Sequence, residues 1–373
     1  MNIFRAVPIS AMGLAALLFQ TSVWSASITP ETFSATISIG ETVSVEKTVA
    51  LDADTAATSV DIFFLSDNTG SMGGIINTVK SFADNLLSTL STNITDVAFG
   101  VGRYLGDPVE GVAPATAYQL QQSITTDTTP VMTQIGNWFA RGGGDSPETN
   151  FFALQQVATE GASTGGGVST GQATGWRDGA RRVILWFGDA SSHEETVSQT
   201  EVIDALTDEN VIVIGLNTRP SNSGIDTAGQ ASAITDATEG SLFNNLSSAS
   251  PAVVQQAILD GIDAATSTLD ITLATFGDTS GLDISVVCTS LEGCDDVPAG
   301  GIRTLRMDIT GVSAGVFNFE TRVPGLAGVM EIDSITVTDG SGIPEAIPEP
   351  ASILLLGLGL TILGINRKRA PAA

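Results

Sequence analysis

The stretch Asp67-Asn68-Thr69-Gly70-Ser71-Met72 carries three oxygen-bearing side chains spaced two residues apart. It follows the apolar run 60–66, whose short length and branched and aromatic residues predict a buried strand. At an extended strand tip, alternate side chains point the same way, so Asp67, Thr69 and Ser71 can direct their oxygens to one point. A carboxylate and two hydroxyls suit Mg²⁺ or Mn²⁺ but do not complete its coordination. The same residue types also cap helix N-termini, which remains the alternative for this stretch alone.

Two later stretches bring further acidic side chains. Residues 143–148 read Gly-Gly-Asp-Ser-Pro-Glu and end in Glu148. The apolar run 183–187 predicts a central strand, and Asp189 follows it after one glycine. In a parallel sheet, Asp67 and Asp189 would both follow strands at the carboxyl edge, where ligands bind.

These stretches carry a resemblance to a known family. Asp-x-Thr-x-Ser at a strand end resembles the metal-ion-dependent adhesion site of von Willebrand factor A domains. Residues 143–148 resemble the Asp-Ser-Pro-Glu metal loop of integrin β-subunit I-like domains. Residues 175–177 and 183–193 are similar to the strand and loop that supply the last metal carboxylate there. The matches come in the family's order within residues 59–266. The resemblance implies that one divalent cation is held by Asp67 (directly or through water), Thr69, Ser71, Glu148 and Asp189.

The resemblance also implies a second, stabilising cation site, with Ca²⁺ as its candidate ion. Its ligands would be Asp145, the carbonyl of Pro147, Glu148 and a further acid at Asp107. The chain departs from the family here, because Gly143 stands where an asparagine is usual and insertions blur the match at Asp107. A third site is not expected, since Gly74 and Ile75 occupy the positions of its acids.

The elements that would position these residues alternate between strands and helices over residues 59–266. The pattern predicts a doubly wound, mainly parallel α/β sheet covered by helices. The predicted strands are 60–66, 97–104, 183–187, 211–216 and a short edge strand near 242–243. The predicted helices are 75–90, 134–140, 148–159, 194–208, 225–237 and 251–266.

The flanking segments 27–58 and 267–340 show the two-residue alternation of β-strands. The later strands are predicted at 269–273, 282–286, 305–309, 315–320 and 332–337. Together the two segments could form one β-sandwich into which the α/β domain is inserted, the layout of integrin β subunits. A separate C-terminal sandwich, with 27–58 lying on the α/β domain, is the alternative.

Both ends of the chain resemble targeting segments. Residues 1–25 have an early arginine, an apolar stretch and a small residue at the end, which predicts a Sec signal peptide rather than an anchor. Residues 347–370 combine Pro-Glu-Pro, an apolar stretch and Arg-Lys-Arg. This tail resembles the PEP-CTERM sorting signal, and a plain membrane anchor is the alternative. The resemblance implies processing by an exosortase-type enzyme, transient anchoring in the inner membrane, and export to the surface or extracellular matrix of a Gram-negative bacterium.

The net charge indicates which partners the protein can bind, and the two cysteines are consistent with export. Setting aside four basic residues in the two targeting segments leaves 11 basic against 41 acidic residues, a balance of −30. Such a surface repels nucleic acid and attracts divalent cations, although it also simply favours solubility. Cys288 and Cys294 are the only cysteines, and in an exported protein they are expected to form a disulfide.

The sequence predicts a binding protein that engages the carboxylate of a protein or polysaccharide through its cation. A matrix or biofilm scaffold with a purely stabilising cation is the alternative. A metal-dependent hydrolase is less favoured, because His193 is the only histidine and the sequence shows no His-Glu-x-x-His and no catalytic Cys/His pair. No Gly-x-Ser-x-Gly stretch lies between a predicted strand and a predicted helix, where a nucleophile elbow would place it. An enzyme is therefore not expected.

Overall fold

A computed structural model of the chain describes residues 26–52, 57–108, 111–142, 146–161 and 172–340. The strands in these residues are β1 (Ser27–Thr29), β2 (Thr32–Ser38), β3 (Thr42–Ala50), β4 (Ser59–Asp67), β5 (Asp96–Tyr104), β6 (Tyr118–Thr125), β7 (Arg181–Gly188), β8 (Val211–Asn217), β9 (Ser241–Phe243), β10 (Thr268–Leu269), β11 (Ala274–Gly277), β12 (Leu282–Cys288), β13 (Val297–Pro298), β14 (Ile302–Gly311), β15 (Gly315–Arg322) and β16 (Met330–Thr338). The α-helices are α1 (Gly73–Asn93), α2 (Pro114–Ala117), α3 (Thr128–Gly136), α4 (Asn150–Ala158), α5 (Gln199–Asp208), α6 (Gln230–Ala237) and α7 (Pro251–Thr266). The predicted mixed α/β architecture is confirmed.

The largest sheet has six strands in the order β6-β5-β4-β7-β8-β9. Five of them are parallel, and only β6 runs antiparallel to its neighbour β5. Every residue of β4 is buried, which explains its unbroken apolar sequence: a central parallel strand is covered on both faces. The carboxyl ends of β4 and β7 therefore lie side by side at one edge.

Helices cover both faces of this sheet. Apolar side chains of α1, α3 and α7 share a buried cluster with one face, and those of α4, α5 and α6 share a second cluster with the other. The three- and four-residue spacing in α1 places eight apolar side chains in its buried stripe. Burial of those side chains holds α1 rigidly behind the loop that follows β4.

Strands from the two ends of the chain combine in two further sheets. One sheet has the order β1-β3-β14-β12 and the other β11-β15-β16-β2. They face each other across a shared apolar cluster: Ile37, Val45, Met307, Ile309, Phe317, Phe319, Ile335 and Val337. The segments before and after the α/β region thus pair with each other, although the predicted domain boundaries themselves stay a prediction.

Several predicted helix limits are wrong. Helix 134–140 in fact spans Thr128–Gly136, because the Asp127 side chain accepts a hydrogen bond from Thr129 N (2.9 Å) and caps its start. Helix 194–208 begins only at Gln199, where Ser198 and Glu201 form a capping box. Helix 148–159 is confined to α4, and helix 225–237 is divided into a 3-10 segment, Gly224–Gly229, and α6, which begins after the left-handed Gly229.

Two strand predictions also differ from the structure. The alternating run 269–273 pairs only through β10, while the next residues form β11 and join β15. Strand β6 is not predicted at all. Its side chains are mainly half-buried and its sequence is interrupted by glutamines, so its apolar pattern is weak.

The predicted disulfide between Cys288 and Cys294 is present, closing a loop after β12. Among the helices that the structure describes, none is long and apolar enough to cross a membrane. The predicted signal peptide 1–25 and the sorting segment 347–370 lie outside the described residues.

A charged cluster joins the two facing sheets. Lys47 on β3 lies on the inward face, and its Nζ is 2.5 Å from Glu331 Oε2 and 3.1 Å from Asp333 Oδ1 on β16. The side chains of all three residues are fully buried. Burial, and then the neighbouring Asp333, raise the pKa of Glu331, while Lys47 opposes this rise. The positive charge of Lys47 offsets the cost of burying these two carboxylates.

We expect Lys47→Met to destabilise the protein by about 3–5 kcal/mol, because it leaves two buried carboxylates without a compensating charge. Denaturant unfolding followed by circular dichroism measures this loss. The matched control is Lys80→Met on α1, whose lysine is only partly buried and makes no ion pair among the described residues. Equal stability of the two variants would contradict the role assigned to Lys47.

Candidate metal centre

The loops after β4 and β7 meet because these strands are parallel neighbours. The register pairs Ser66 with Phe187, so Asp67 and Asp189 follow within two positions of this pair. A Cβ atom at Gly188 would lie 2.7 Å from Tyr104 Oη, so glycine is required for this close approach. The sheet thereby brings together two acids that are far apart in sequence.

Hydrogen bonds join the predicted ligands of the two loops. Asp67 Oδ1 accepts from Thr69 N at 2.7 Å, which closes the turn. Thr69 Oγ1 lies 3.4 Å from Ser71 Oγ, and Ser71 Oγ donates to Asp189 Oδ1 at 3.0 Å. Asp67 and Thr69 are buried whereas Ser71 is exposed. The cluster of oxygens therefore opens to solvent at Ser71.

The capping alternative is not realised. Thr69 precedes the short 3-10 turn Gly70–Met72 and Met72 precedes α1, and neither position makes a side-chain capping hydrogen bond. The hydroxyls of Thr69 and Ser71 face each other and Asp189 instead. These two hydroxyls therefore belong to the oxygen cluster between the loops and do not cap the helix.

The carboxyl group of Asp67 is buried and only partly hydrogen-bonded. Its Oδ2 is buried and has no hydrogen-bond partner among the described residues. Burial, together with the nearby charge of Asp189, raises the pKa of Asp67 to about 7, although hydrogen bonds from Thr69 lower it. A divalent cation beside this carboxylate would favour its ionised form and occupy the unused oxygen.

The loop that carries Glu148 is fixed to the loop after Asp189. Glu148 N donates to Ser191 O at 2.7 Å, and His193 N donates to Glu148 O at 2.8 Å. Asn150 Nδ2 also donates to Ala190 O at 2.9 Å. Glu148 itself is buried. The loop that carries Glu148 is thus attached to the loop that follows β7, next to Asp189.

The residues predicted for a second cation are only partly placed. Asp145 lies outside the described residues, and Pro147 is partly buried beside Glu148. Asp107 is buried in the loop after β5, and its Oδ1 accepts from Thr196 Oγ1 at 2.6 Å. This second site stays a prediction.

The described acidic side chains near Asp67 do not form a metal-binding cluster by themselves. Among the residues that the structure describes, no group of three or more His, Cys, Asp or Glu side chains is arranged to hold a metal ion. A cation at Asp67 would therefore depend on the hydroxyls of Thr69 and Ser71. Oxygen donors of this kind fit a hard divalent ion.

Arg219 is a site residue that the sequence reasoning missed. Its Nη2 lies 2.9 Å from Asp189 Oδ2, while half of its side chain is exposed. Arg219 follows β8, the next parallel strand after β7, so inspection of the residues after each strand would have found it. Asn217 Oδ1 accepts from Arg219 N at 3.1 Å and fixes its backbone. The guanidinium is thus a resident positive charge beside the predicted cation ligands.

The comparison with known protein families gives a match at the C-terminal end of the chain. Residues 346–370 match the PEP-CTERM protein-sorting motif, which marks an exported protein. No curated protein matches the chain.

Two solved structures are similar over larger regions. Proximal thread matrix protein 1 from the mussel byssus is 18% identical, with 60% of this chain and 50% of that chain covered and a TM-score of 0.40. The pilus adhesin SpaC from Lactobacillus rhamnosus GG is 10% identical, with 79% and 45% covered and a TM-score of 0.38. The chain thus spans about half the length of these structures. TM-scores below 0.5 do not establish a common fold.

We expect Arg219→Gln to raise the affinity for Mg²⁺ about threefold to tenfold, because it removes a positive charge that competes for Asp189. Calorimetric titration of the purified protein measures the change. The matched control is Arg306→Gln, since Arg306 is equally exposed and pairs with Asp308 on β14 at 3.0 Å. An affinity equal to that of the control, or lower than that of the unaltered protein, would contradict this assignment.

Proposed function

We propose that this protein is an exported binding protein of the von Willebrand factor A type that engages an acidic ligand through a divalent cation. Asp67, Thr69, Ser71 and Asp189 would hold the cation, and Glu148, which does not form a three-acid cluster with Asp67 and Asp189 in the structure, would join them when the cation is bound. When bound, the cation offers an open coordination position to a carboxylate oxygen of the ligand. Mg²⁺ or Mn²⁺ is the ion that these donors favour.

One observation carries the proposal: Ser71 and Asp189, which follow different strands of the sheet, meet at 3.0 Å beside the buried Asp67. Thr69 belongs to the same group of oxygens. Asp67 Oδ2 is buried without a hydrogen-bond partner among the described residues, and a cation bound there would offset the cost of burying this carboxylate. The hydroxyls would contact the ion directly, and the carboxylates would supply its counter-charge.

The overall charge explains why a cation is needed for an acidic ligand. A chain with a formal net charge of −26 repels a carboxylate that approaches its surface. A divalent ion at the edge of the sheet reverses the sign of the field locally. The same charge disfavours nucleic acid as a partner. We therefore propose a protein or polysaccharide ligand that offers a carboxylate.

The sorting motif at 346–370 indicates where binding would occur. We infer that an exosortase-type enzyme processes this segment after Sec-dependent export, with transient attachment to the inner membrane. The binding protein would then act at the outer surface or in the extracellular matrix of a Gram-negative bacterium. No catalytic role is proposed.

A structural scaffold is the second candidate, and the burial of Asp67 favours it. Because its pKa is raised to about 7, a cation would stabilise the fold as well as bind a ligand. Thermal unfolding in a chelator separates the candidates. A large loss of stability without metal supports the scaffold, whereas unchanged stability with lost ligand binding supports the binding protein.

We expect Asp67→Ala to abolish the binding of Mg²⁺ and Mn²⁺ in calorimetric titrations, a loss of at least about 100-fold, because the buried carboxylate is removed. Ser71→Ala, at an exposed position, should keep the fold and weaken binding about tenfold. Asp84→Ala on the exposed face of α1 is the control and should bind like the unaltered protein. Absence of any metal response in the unaltered protein would overturn the proposal.

A further inference from the structure

Three arginines among the described residues make no ion pair, and two of them, Arg103 and Arg141, lie together, whereas the third, Arg181, lies near the charges of Asp270, Glu239 and Asp296. Six arginines and Lys47 make ion pairs with carboxylates: Arg177, Arg182, Arg219, Arg303, Arg306 and Arg322. Arg103 and Arg141 make no ion pair with any acid among the described residues, and both stack on the ring of Phe139. The Cζ atoms lie 5.0 Å and 4.8 Å from the ring centroid.

This arginine pair lies directly beside the candidate metal centre. Arg141 N donates to Asn68 O at 2.9 Å, and Gly70 N donates to Gly142 O at 3.0 Å. Asn68 Nδ2 donates to Phe139 O at 3.1 Å. Three hydrogen bonds therefore attach the segment 139–142 to the turn that carries Thr69 and its neighbours. These bonds hold the backbone that carries Phe139 and Arg141 next to the turn of the proposed cation site.

The local structure holds Arg103 while leaving positive charge unsatisfied. Arg103 extends from β5, and its Nε donates to Gln119 Oε1 on β6 at 2.9 Å. Burial lowers the pKa of Arg103, and the charge of Arg141 lowers it further. Stacking on an aromatic face leaves the edges of a guanidinium available for bidentate contact with a carboxylate. An anion at this position would relieve the repulsion between the two arginines.

A buried acceptor lies in the same place. Asn68 lines a small depression together with Arg103, Gln119 and Arg141. Asn68 is 2% exposed, and its Oδ1 has no hydrogen-bond partner among the described residues. A ligand that brings both a carboxylate and a neighbouring N–H donor would match these groups. An acidic peptide segment has both.

We propose that Arg103, Phe139 and Arg141 form an anion subsite for a second carboxylate of an acidic protein segment whose first carboxylate binds the cation. This inference rests on the proposed function, and it adds a requirement for two acidic groups. Two local positive centres on a negative surface complement a short pair of acidic residues. A peptide also carries a backbone N–H donor beside each carboxylate, which a uronate polysaccharide lacks, and an acidic protein segment is therefore the favoured occupant.

Surface plasmon resonance of the full-length protein over immobilised poly-L-glutamate in the presence of Mg²⁺ tests the subsite. The variant is R103Q/R141Q. The matched control is R306Q/R322Q, which removes the same charge from two arginines that pair with Asp308 and Glu320. A parallel surface carries alginate, whose carboxylates belong to a polysaccharide. Calorimetry measures the Mg²⁺ affinity of each variant separately.

The expected result is that R103Q/R141Q binds poly-L-glutamate at least about tenfold more weakly, because two charge-assisted contacts are lost. The control should stay within about twofold, and the Mg²⁺ affinity of R103Q/R141Q should not fall. R141Q alone, at an exposed position, should keep the fold and weaken binding about threefold.

Equal poly-L-glutamate binding by R103Q/R141Q and the control, with Mg²⁺ binding retained, would overturn the subsite and leave the proposed function standing. Failure of the unaltered protein to bind Mg²⁺ would overturn both. Arginine-dependent binding to alginate without binding to poly-L-glutamate would overturn the acidic protein segment as the occupant.

Discussion

The structure depends on the parallel pairing of β4 with β7. The register that sets Ser66 beside Phe187 leads both strands to end at one edge, and it brings Asp67 and Asp189 into the same cluster. Burial of β4 on both faces places this pair at the centre of the sheet. Helices packed on both faces then hold the emerging loops in place.

The second constraint is electrostatic. A chain with 41 acidic residues buries the Asp67 carboxylate where no protein hydrogen bond reaches its Oδ2 among the described residues. Between the facing sheets, the negative charges of the buried Glu331 and Asp333 are compensated by the ammonium group of Lys47, which lies within ion-pair distance of both. At the edge of the α/β sheet, Arg219 neutralises Asp189 only from one side. We propose a divalent ion as the species that satisfies Asp67 and the two hydroxyls together.

The features that could be predicted are those set by local pattern. The apolar run before Asp67 indicates a buried strand, and the spacing of its hydroxyl neighbours indicates an oxygen site. The features that were missed depend on distant pairing. Lys47 shares the inward face of β3 with Val45 and Val49, as the local alternation indicates, but its partner acids on β16 come from a distant part of the chain. Arg219 reaches Asp189 only because β8 pairs with β7, and β6 lacks a strong apolar pattern.

Anomalous diffraction from crystals of the full-length protein soaked in Mn²⁺ tests the central claim most directly. The account predicts one strong peak at about 2.0–2.3 Å from Thr69 Oγ1 and Ser71 Oγ, on the side that Asp67 and Asp189 face. A fully occupied Mn²⁺ peak elsewhere, with no peak at these hydroxyls, would contradict it.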